Sequence, residues 1–159
     1  MSILPRNLAL AYSSAYTALN NMLTMPGHDP KRLGGYLSLV DRDSGIIEAA
    51  LLVGECDGPS AKRYYSFSLE KADRLFYHKK HQSSFESRDE PQQMYQGAIK
   101  CPHQSLIFSF SGFREEEDEV IALMSAIGSG SIKFEEAKKI GAISGNCLFL
   151  AYAMKYGIK

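Results

Sequence analysis

The sequence predicts an α+β fold in which one antiparallel β-sheet of about five strands is flanked by helices. Two apolar runs, 36–40 and 46–53, are separated by the short segment DRDSG, whose aspartates and glycine favour a tight turn. This link is too short for a parallel crossover, so the two runs form an antiparallel hairpin. On both sides of the hairpin, apolar residues recur every three or four positions, as in amphipathic helices.

The length and composition favour one domain, 1–159, with a proper hydrophobic core. The chain has 159 residues, of which 45% are hydrophobic and 23% are charged. Its 18 basic and 18 acidic residues cancel, so we expect neither a nucleic-acid nor a membrane partner. No apolar run approaches the roughly 20 residues of a membrane span, and no secretion signal is recognised. Three cysteines without a CxxC pair suit reduced thiols, which predicts a cytoplasmic protein without structural disulfides.

Three segments organise the domain around the hairpin. The spacing of apolar residues predicts an N-terminal helix over 5–25, which begins at a tolerated first-turn proline and ends before Pro26-Gly27. An α/β core occupies 34–127. A C-terminal helix over 134–156 carries an apolar stripe that either covers the sheet or forms an oligomer contact, made up of Ile140, Ile143, Cys147, Leu148 and Ala151.

The core contains a second amphipathic helix over 66–81. Its apolar face carries Tyr65, Leu69, Ala72 and Phe76, while the basic residues of the segment are expected in water: Lys71, Arg74, Lys79 and Lys80. A polar connection follows, and then come a short strand over 95–99, a clearer strand over 105–110 and a helix over 115–127.

The stretch FSFSGFREEED at 108–118 is interpreted as a packing corner between a strand and a helix. Gly112 allows the turn, and the four acids at 115–118 favour a helix start. The same acids would repel a phosphate, and no P-loop lysine follows the glycine. Ser109 and Ser111 lack the GxSxG elbow of a serine nucleophile, so the sequence favours no enzyme.

Four residues are candidate ligands for a bound cofactor. His78 and His81, at i and i+3 of a helix, can reach one ion or ligand, or can lie on a solvated helix end. In the triplet Cys101-Pro102-His103, the proline projects the thiol outward, so Cys101 is either a haem-iron ligand or a small buried thiol at a strand entrance. His103 offers a further imidazole. His28, in a loop beside Asp29, is expected at the surface.

Several segments, in order, resemble the GlcG/HbpS-like family, which includes the C-terminal domain of PduO-type proteins. They are VDRDSGIIEAALL at 40–52, the Cys56-Asp57-Gly58 turn, Lys71-Ala72 on a helix, and Ser111-Gly112 followed by Glu117-Asp118. The resemblance covers roughly residues 8–127. Cys56 stands where the family has methionine, and SRDEPQQ replaces its glycine-rich loop.

This resemblance implies a profilin-like sandwich that often assembles into oligomers, and some family members bind haem or act as accessory or sensory proteins. The function expected from the sequence is therefore that of a small, non-enzymatic ligand-binding or accessory protein, and haem is the most specific ligand that the resemblance implies. The alternative is an oligomeric protein–protein interaction module without a small-molecule site, comparable to longin and roadblock domains. Both alternatives include a homo-oligomer.

Overall fold

The computed structural model describes residues 5–159, so the first four residues of the predicted 1–159 domain lie outside it. Five α-helices and four β-strands follow one another within the described chain. Their bounds are α1 Pro5–Met22, β1 Gly34–Asp41, β2 Ile47–Gly54, α2 Gly58–Tyr77, β3 Ala98–Lys100, β4 Leu106–Ser111, α3 Glu115–Gly128, α4 Phe134–Ile143 and α5 Cys147–Tyr156.

The sheet is antiparallel throughout, with strand order β2-β1-β4-β3, which confirms the predicted α+β class. It has four strands rather than about five. A fifth strand beyond β3 is reduced to a single bridge between Ser83 and Ile99. The pairing stops there because Ser83 and Glu86 form a capping box that turns the chain at once into a short 3₁₀ helix, Ser84–Ser87.

Helices cover both faces of the sheet. On one face, the main core forms where α1 and α3 pack on Leu37, Leu39, Phe108 and Phe110. On the other face, α2 packs on β1 and β4 over a smaller cluster that includes Leu75.

Small polar side chains let α2 approach the sheet closely. Ser38 Oγ lies 2.6 Å from Ser68 Oγ, and Ser109 Oγ donates to the Ser68 carbonyl at 2.7 Å. These bonds satisfy the buried hydroxyls and fix the position of α2 over β1 and β4.

Three predicted helices have different bounds in the structure, and the first of them ends at Met22 rather than at 25. The second helix is Gly58–Tyr77 rather than 66–81, so His78 and His81 do not lie at i and i+3 of a helix as predicted. It begins at Gly58 because the Asp57 carboxylate caps it by accepting from Ser60 N at 2.8 Å. The predicted C-terminal helix over 134–156 is divided into α4 and α5. Gly145 has φ +64° and Asn146 caps α5 through Phe149 N, so the backbone breaks between them.

The prediction that Lys71 and Arg74 lie in water is wrong, since their exposed fractions are 2% and 7%. Arg74 donates to the Ser84 carbonyl at 2.6 Å and to Ser87 Oγ at 2.8 Å, and it also contacts the Tyr95 carbonyl. It therefore ties α2 to the polar connection that precedes β3.

None of the helices between residues 5 and 159 combines the length and the apolar character that crossing a membrane requires.

Candidate functional site

A cleft of about 490 Å³ opens between α2 and the junction of β4 with α3. We call it the α2 cleft. Tyr64 and Phe67 of α2 and Tyr95 of the connection form its aromatic walls, and Phe67 and Tyr95 meet edge to face with ring centroids 5.8 Å apart. Three arginines also line the cleft: Arg32, Arg63 and Arg114.

The floor of the α2 cleft is a buried ion pair between Lys71 and Asp118. Lys71 Nζ lies 2.9 Å from Asp118 Oδ2 and donates to the Phe110 carbonyl at 2.9 Å. Asp118 Oδ1 accepts from Phe113 N at 2.8 Å. Burial raises the pKa of Asp118 to about 7, although Lys71 and the Phe113 amide oppose this rise. The cleft thus has an ammonium and a carboxyl group fixed at its base.

Two glycines make room for this arrangement. Gly97 has φ +132°, and a Cβ placed on it would lie 2.7 Å from Lys71 Nζ. Gly112 has φ +155°, and a Cβ there would lie 2.4 Å from the Gly34 carbonyl oxygen. The stretch at 108–118 is therefore the strand, turn and helix that the sequence predicts, and it also forms one wall of the cleft.

Three consecutive acids at the start of α3, Glu117, Asp118 and Glu119, are buried. Successive residues of a helix point about 100° apart, so each carboxyl group meets a different set of partners. Glu119 accepts from Ser83 Oγ, Ser144 Oγ and Asn146 Nδ2 at 2.9, 2.6 and 3.0 Å, and burial raises its pKa. The acids therefore link α3 to its neighbours in addition to favouring its start.

The side chain of His28 is buried beside α3, with an exposed fraction of 3%, contrary to its predicted surface position. Its Nδ1 lies 2.7 Å from Glu117 Oε2, and its Nε2 donates to the Arg32 carbonyl at 2.8 Å. The ring also meets Phe113 with centroids 4.6 Å apart. Both ring nitrogens are engaged, so His28 holds the 28–32 loop against α3 and has no nitrogen left for a substrate.

The four predicted cofactor ligands lie beyond the C-terminal end of α2, away from the α2 cleft. His78 and His81 stack on each other, with ring centroids 4.6 Å apart and planes 9° apart. Cys101 is fully buried beside the main core. His103 is 77% exposed and pairs with Glu136 at 3.2 Å. Only His81 and Cys101 line the same groove, which has a volume of about 220 Å³.

This region does not fit a haem. The groove is small and basic, whereas a porphyrin needs an apolar slot for its flat ring. Burial raises the pKa of Cys101 to about 12, which keeps it a thiol, although iron binds the thiolate. Over residues 5–159 no group of three or more His, Cys, Asp or Glu side chains could hold a metal ion. Haem ligation by these residues stays a prediction that only a binding measurement can test.

Lys71 is the site residue that the sequence interpretation missed. Ser68, Lys71, Ala72 and Leu75 are all buried and recur at three and four positions, so they form the covered face of α2. The predicted apolar face differs from this covered face because the prediction included Tyr65, which is exposed. A lysine directly beside Ala72 on a covered helix face was the available signal.

Compared with known proteins, the chain matches no family model, no curated protein and no solved structure. The resemblance to the GlcG/HbpS-like family therefore stays a prediction.

Proposed function

We propose that this chain is a small, non-enzymatic ligand-binding protein whose ligand occupies the α2 cleft. The observation that carries this proposal is the combination of aromatic walls and arginines above the fixed Lys71–Asp118 pair. Ligand pockets are typically apolar with a few fixed polar groups, which is the character of this cleft.

The lining favours a flat organic anion, such as an aromatic carboxylate. Flat apolar groups pack well on the faces and edges of Tyr64, Phe67 and Tyr95. Arg63 stacks its guanidinium over the Tyr64 ring at 5.3 Å and makes no ion pair with a described residue. A carboxylate that enters the cleft can therefore pair with Arg63 through a bidentate contact.

Two of the three acids that line the cleft are paired with cations, and the third, Glu116, makes no ion pair with a described residue. Glu115 pairs with Arg88 at 2.7 Å, and Asp118 pairs with Lys71 at 2.9 Å. An incoming anion is thus repelled less than the number of acids at 115–118 suggests.

A non-enzymatic role is supported by the engagement of the groups that could act as acids or bases. The His28 nitrogens are both hydrogen-bonded, and the Lys71 ammonium is held by Asp118 and the Phe110 carbonyl. These groups can position a ligand, but none has the free, aligned lone pair that a general base needs.

The test is a titration with 2-naphthoate and with its neutral amide, 2-naphthamide, followed by ¹H–¹⁵N NMR of the full chain. We expect saturable shifts around 63–71 and 111–118 with naphthoate and weaker shifts with the amide. Arg63→Gln should weaken naphthoate binding by about tenfold, the effect of one charge-assisted contact. Lys62→Gln removes a positive charge from the neighbouring exposed position and should leave binding unchanged. Equal binding of both probes, or no localised shifts, would contradict the proposal.

A cytoplasmic location also belongs to the proposal. It is supported by the three free cysteines, which suit a reducing compartment. The family resemblance implies haem, with Cys101, His103, His78 and His81 as candidate ligands, but the proposal does not include it because the groove beside His81 and Cys101 does not fit a porphyrin.

The second candidate function, a homo-oligomeric interaction module, is favoured by one observation at the edge strand β2. Among the described strands β2 pairs only with β1, and α2 does not cover it. Ile47 and Leu52 of this strand are 48% and 40% exposed, and the neighbouring Tyr65 of α2 is 40% exposed. A second copy of the chain could pair with this edge and bury these side chains.

A further inference from the structure

Two adjoining grooves meet where the β1–β2 turn, the end of α2 and β3 come together. Their volumes are about 350 and 220 Å³, and both are lined by Arg42, Lys79 and Lys100. Lys80 and His81 line the smaller groove as well. We call the space that these five residues line the basic groove. It is separate from the α2 cleft, with which it shares no lining residue.

Backbone carbonyls, which carry no net charge, hold the two central cations in place. Lys100 is only 7% exposed, and its Nζ donates to the His78 and Lys79 carbonyls at 3.1 and 3.4 Å. Arg42 Nη1 donates to the Cys101 and Pro102 carbonyls at 2.6 and 3.2 Å. These bonds fix the side chains. No carboxylate of a described residue lies as close to either positive charge as these carbonyl oxygens do.

Both cations keep donors for a ligand. An ammonium has three N–H groups and a guanidinium has five, so each cation has more donors than the two carbonyl bonds that it makes here. Burial lowers the pKa of Lys100, and the nearby Lys79 and Arg42 lower it further.

The acids nearby do not balance this charge. Asp43 lies 3.8 Å from Arg42 Nε, but it also accepts from Ser105 Oγ at 2.7 Å. Glu86 is occupied by the backbone amides of Gln82 and Ser83 at 2.7 and 3.2 Å. Four cations therefore face one lining carboxylate in the basic groove.

His81 provides an independent indication of a ligand. Its Nδ1 is buried, and no described residue accepts or donates a hydrogen bond there. An unpaired buried nitrogen costs free energy unless a ligand or water completes it. His81 lines the smaller groove beside Lys100, and because its Nδ1 is sealed from solvent, a ligand in that groove reaches this atom only when the ring turns.

We propose that the basic groove binds a phosphate group, held by Arg42, Lys79 and Lys100 with His81 at its inner end. A phosphate has several oxygens, which match donors that come from different directions, and Arg and Lys are its usual protein partners. Lys100 has a structural role too, because it satisfies carbonyls at the end of α2. That role explains the carbonyl bonds but not the presence, in the same groove, of Arg42 and of Lys79, whose ammonium lies 3.7 Å from the centroid of the Phe76 ring.

The test is a titration of the full chain with inorganic pyrophosphate at constant ionic strength, followed by ¹H–¹⁵N NMR. We expect saturable shifts confined to 42–43, 79–82 and 100–103. Lys79→Gln and Lys100→Met should each raise the Kd about tenfold, as expected for loss of one charge-assisted contact. Lys62→Gln removes an exposed charge from the first turns of α2 and is the matched control. Lys79→Gln alters an exposed side chain, so it keeps the test valid if Lys100→Met does not fold.

A second arm distinguishes a soluble phosphate from a lipid headgroup. Sedimentation with phosphatidic-acid vesicles is compared with phosphatidylcholine vesicles, using the native chain and Lys79→Gln. If the chain does not bind pyrophosphate but sediments with the anionic vesicles, and Lys79→Gln reduces this sedimentation, the phosphate belongs to a lipid headgroup. Binding of neither probe, or binding that Lys79→Gln weakens no more than Lys62→Gln does, overturns the proposal.

Discussion

Lys71 Nζ lies 2.9 Å from Asp118 Oδ2, and this ion pair joins α2 and α3, helices that pack on opposite faces of the sheet. The contact forms at the end of β4, where Gly97 leaves space and the Phe110 carbonyl accepts a hydrogen bond from Lys71 Nζ. A single buried pair thus couples the two layers of helices and forms the floor of the α2 cleft.

The pH dependence of stability should reveal Asp118. Its folded pKa is raised to about 7 from 3.8, so the folded state binds this proton more tightly than the unfolded state. The free energy of unfolding should therefore fall as pH rises from about 4 to 7 and level off above, by on the order of a few kcal/mol. Urea unfolding at pH 4.5 and 7.5 measures the change.

The control for this measurement is the double variant Lys71→Met/Asp118→Asn, which removes both charges and leaves neither buried alone. Glu119, whose pKa is also raised, is present in both proteins, so its contribution cancels. An equal loss of stability in both proteins would show that Asp118 does not titrate in this range.

Gly97→Ala should destabilise the fold by roughly 2–4 kcal/mol, because its Cβ would meet Lys71 Nζ at 2.7 Å and the Phe110 carbonyl at 2.8 Å at a positive φ. Gly58→Ala is the matched control. A Cβ there meets nothing within 4 Å, in the first turn of α2. Thermal unfolding compares the two, and a Gly97→Ala protein as stable as the control would argue against a tightly filled cleft floor.

The sequence was sufficient to predict most of the fold but little of the candidate site. The hairpin and the 105–110 strand were recognisable because their apolar patterns are local. The burial of Lys71 was not, because its partner Asp118 lies 47 positions away. The same holds for Glu119, whose partners Ser83 and Ser144 come from two other segments. Long-range polar contacts leave no periodic signal, so a row of acids looks like a solvated helix start.

The three cysteines should differ in reactivity. Cys147 is exposed at the start of α5, Cys56 is partly buried, and Cys101 is fully buried with its pKa raised to about 12. Burial and the neighbouring Asp57 also raise the pKa of Cys56. Iodoacetamide labelling at pH 8, followed by mass spectrometry, should modify Cys147 first and Cys101 only on unfolding. Early labelling of Cys101 would contradict the buried position of its thiol.

A haemin titration decides the predicted cofactor. The basic groove is too small and polar for a porphyrin, and Cys101 is held as a thiol, so we expect no saturable Soret shift that depends on these side chains. The native chain is compared with Cys101→Ala, His81→Ala, His78→Ala and His103→Ala. Saturable binding that any one of these substitutions abolishes would establish a haem ligand and favour the family resemblance.

Self-association should depend on the β2 edge rather than on the C-terminal helix. Leu52→Lys places a charge on the exposed edge strand, whereas Met154→Lys places one on α5, where Met154 is 85% exposed. Light scattering at high micromolar concentration should report a dimer for the native chain and Met154→Lys, and a monomer for Leu52→Lys. The reverse result would assign the contact to α5, and a monomeric native chain would remove the oligomer proposal.

The two borders of the sheet are unequal. Beyond β3, the chain at Gln82 and Ser83 already bonds to Lys100 N and bridges Ile99, whereas β2 has an open outer side. A sheet that can be extended from one side only cannot polymerise by edge pairing, because two copies joined by a twofold axis consume both open sides. If two chains assemble through β2, edge pairing is therefore self-limiting at the dimer.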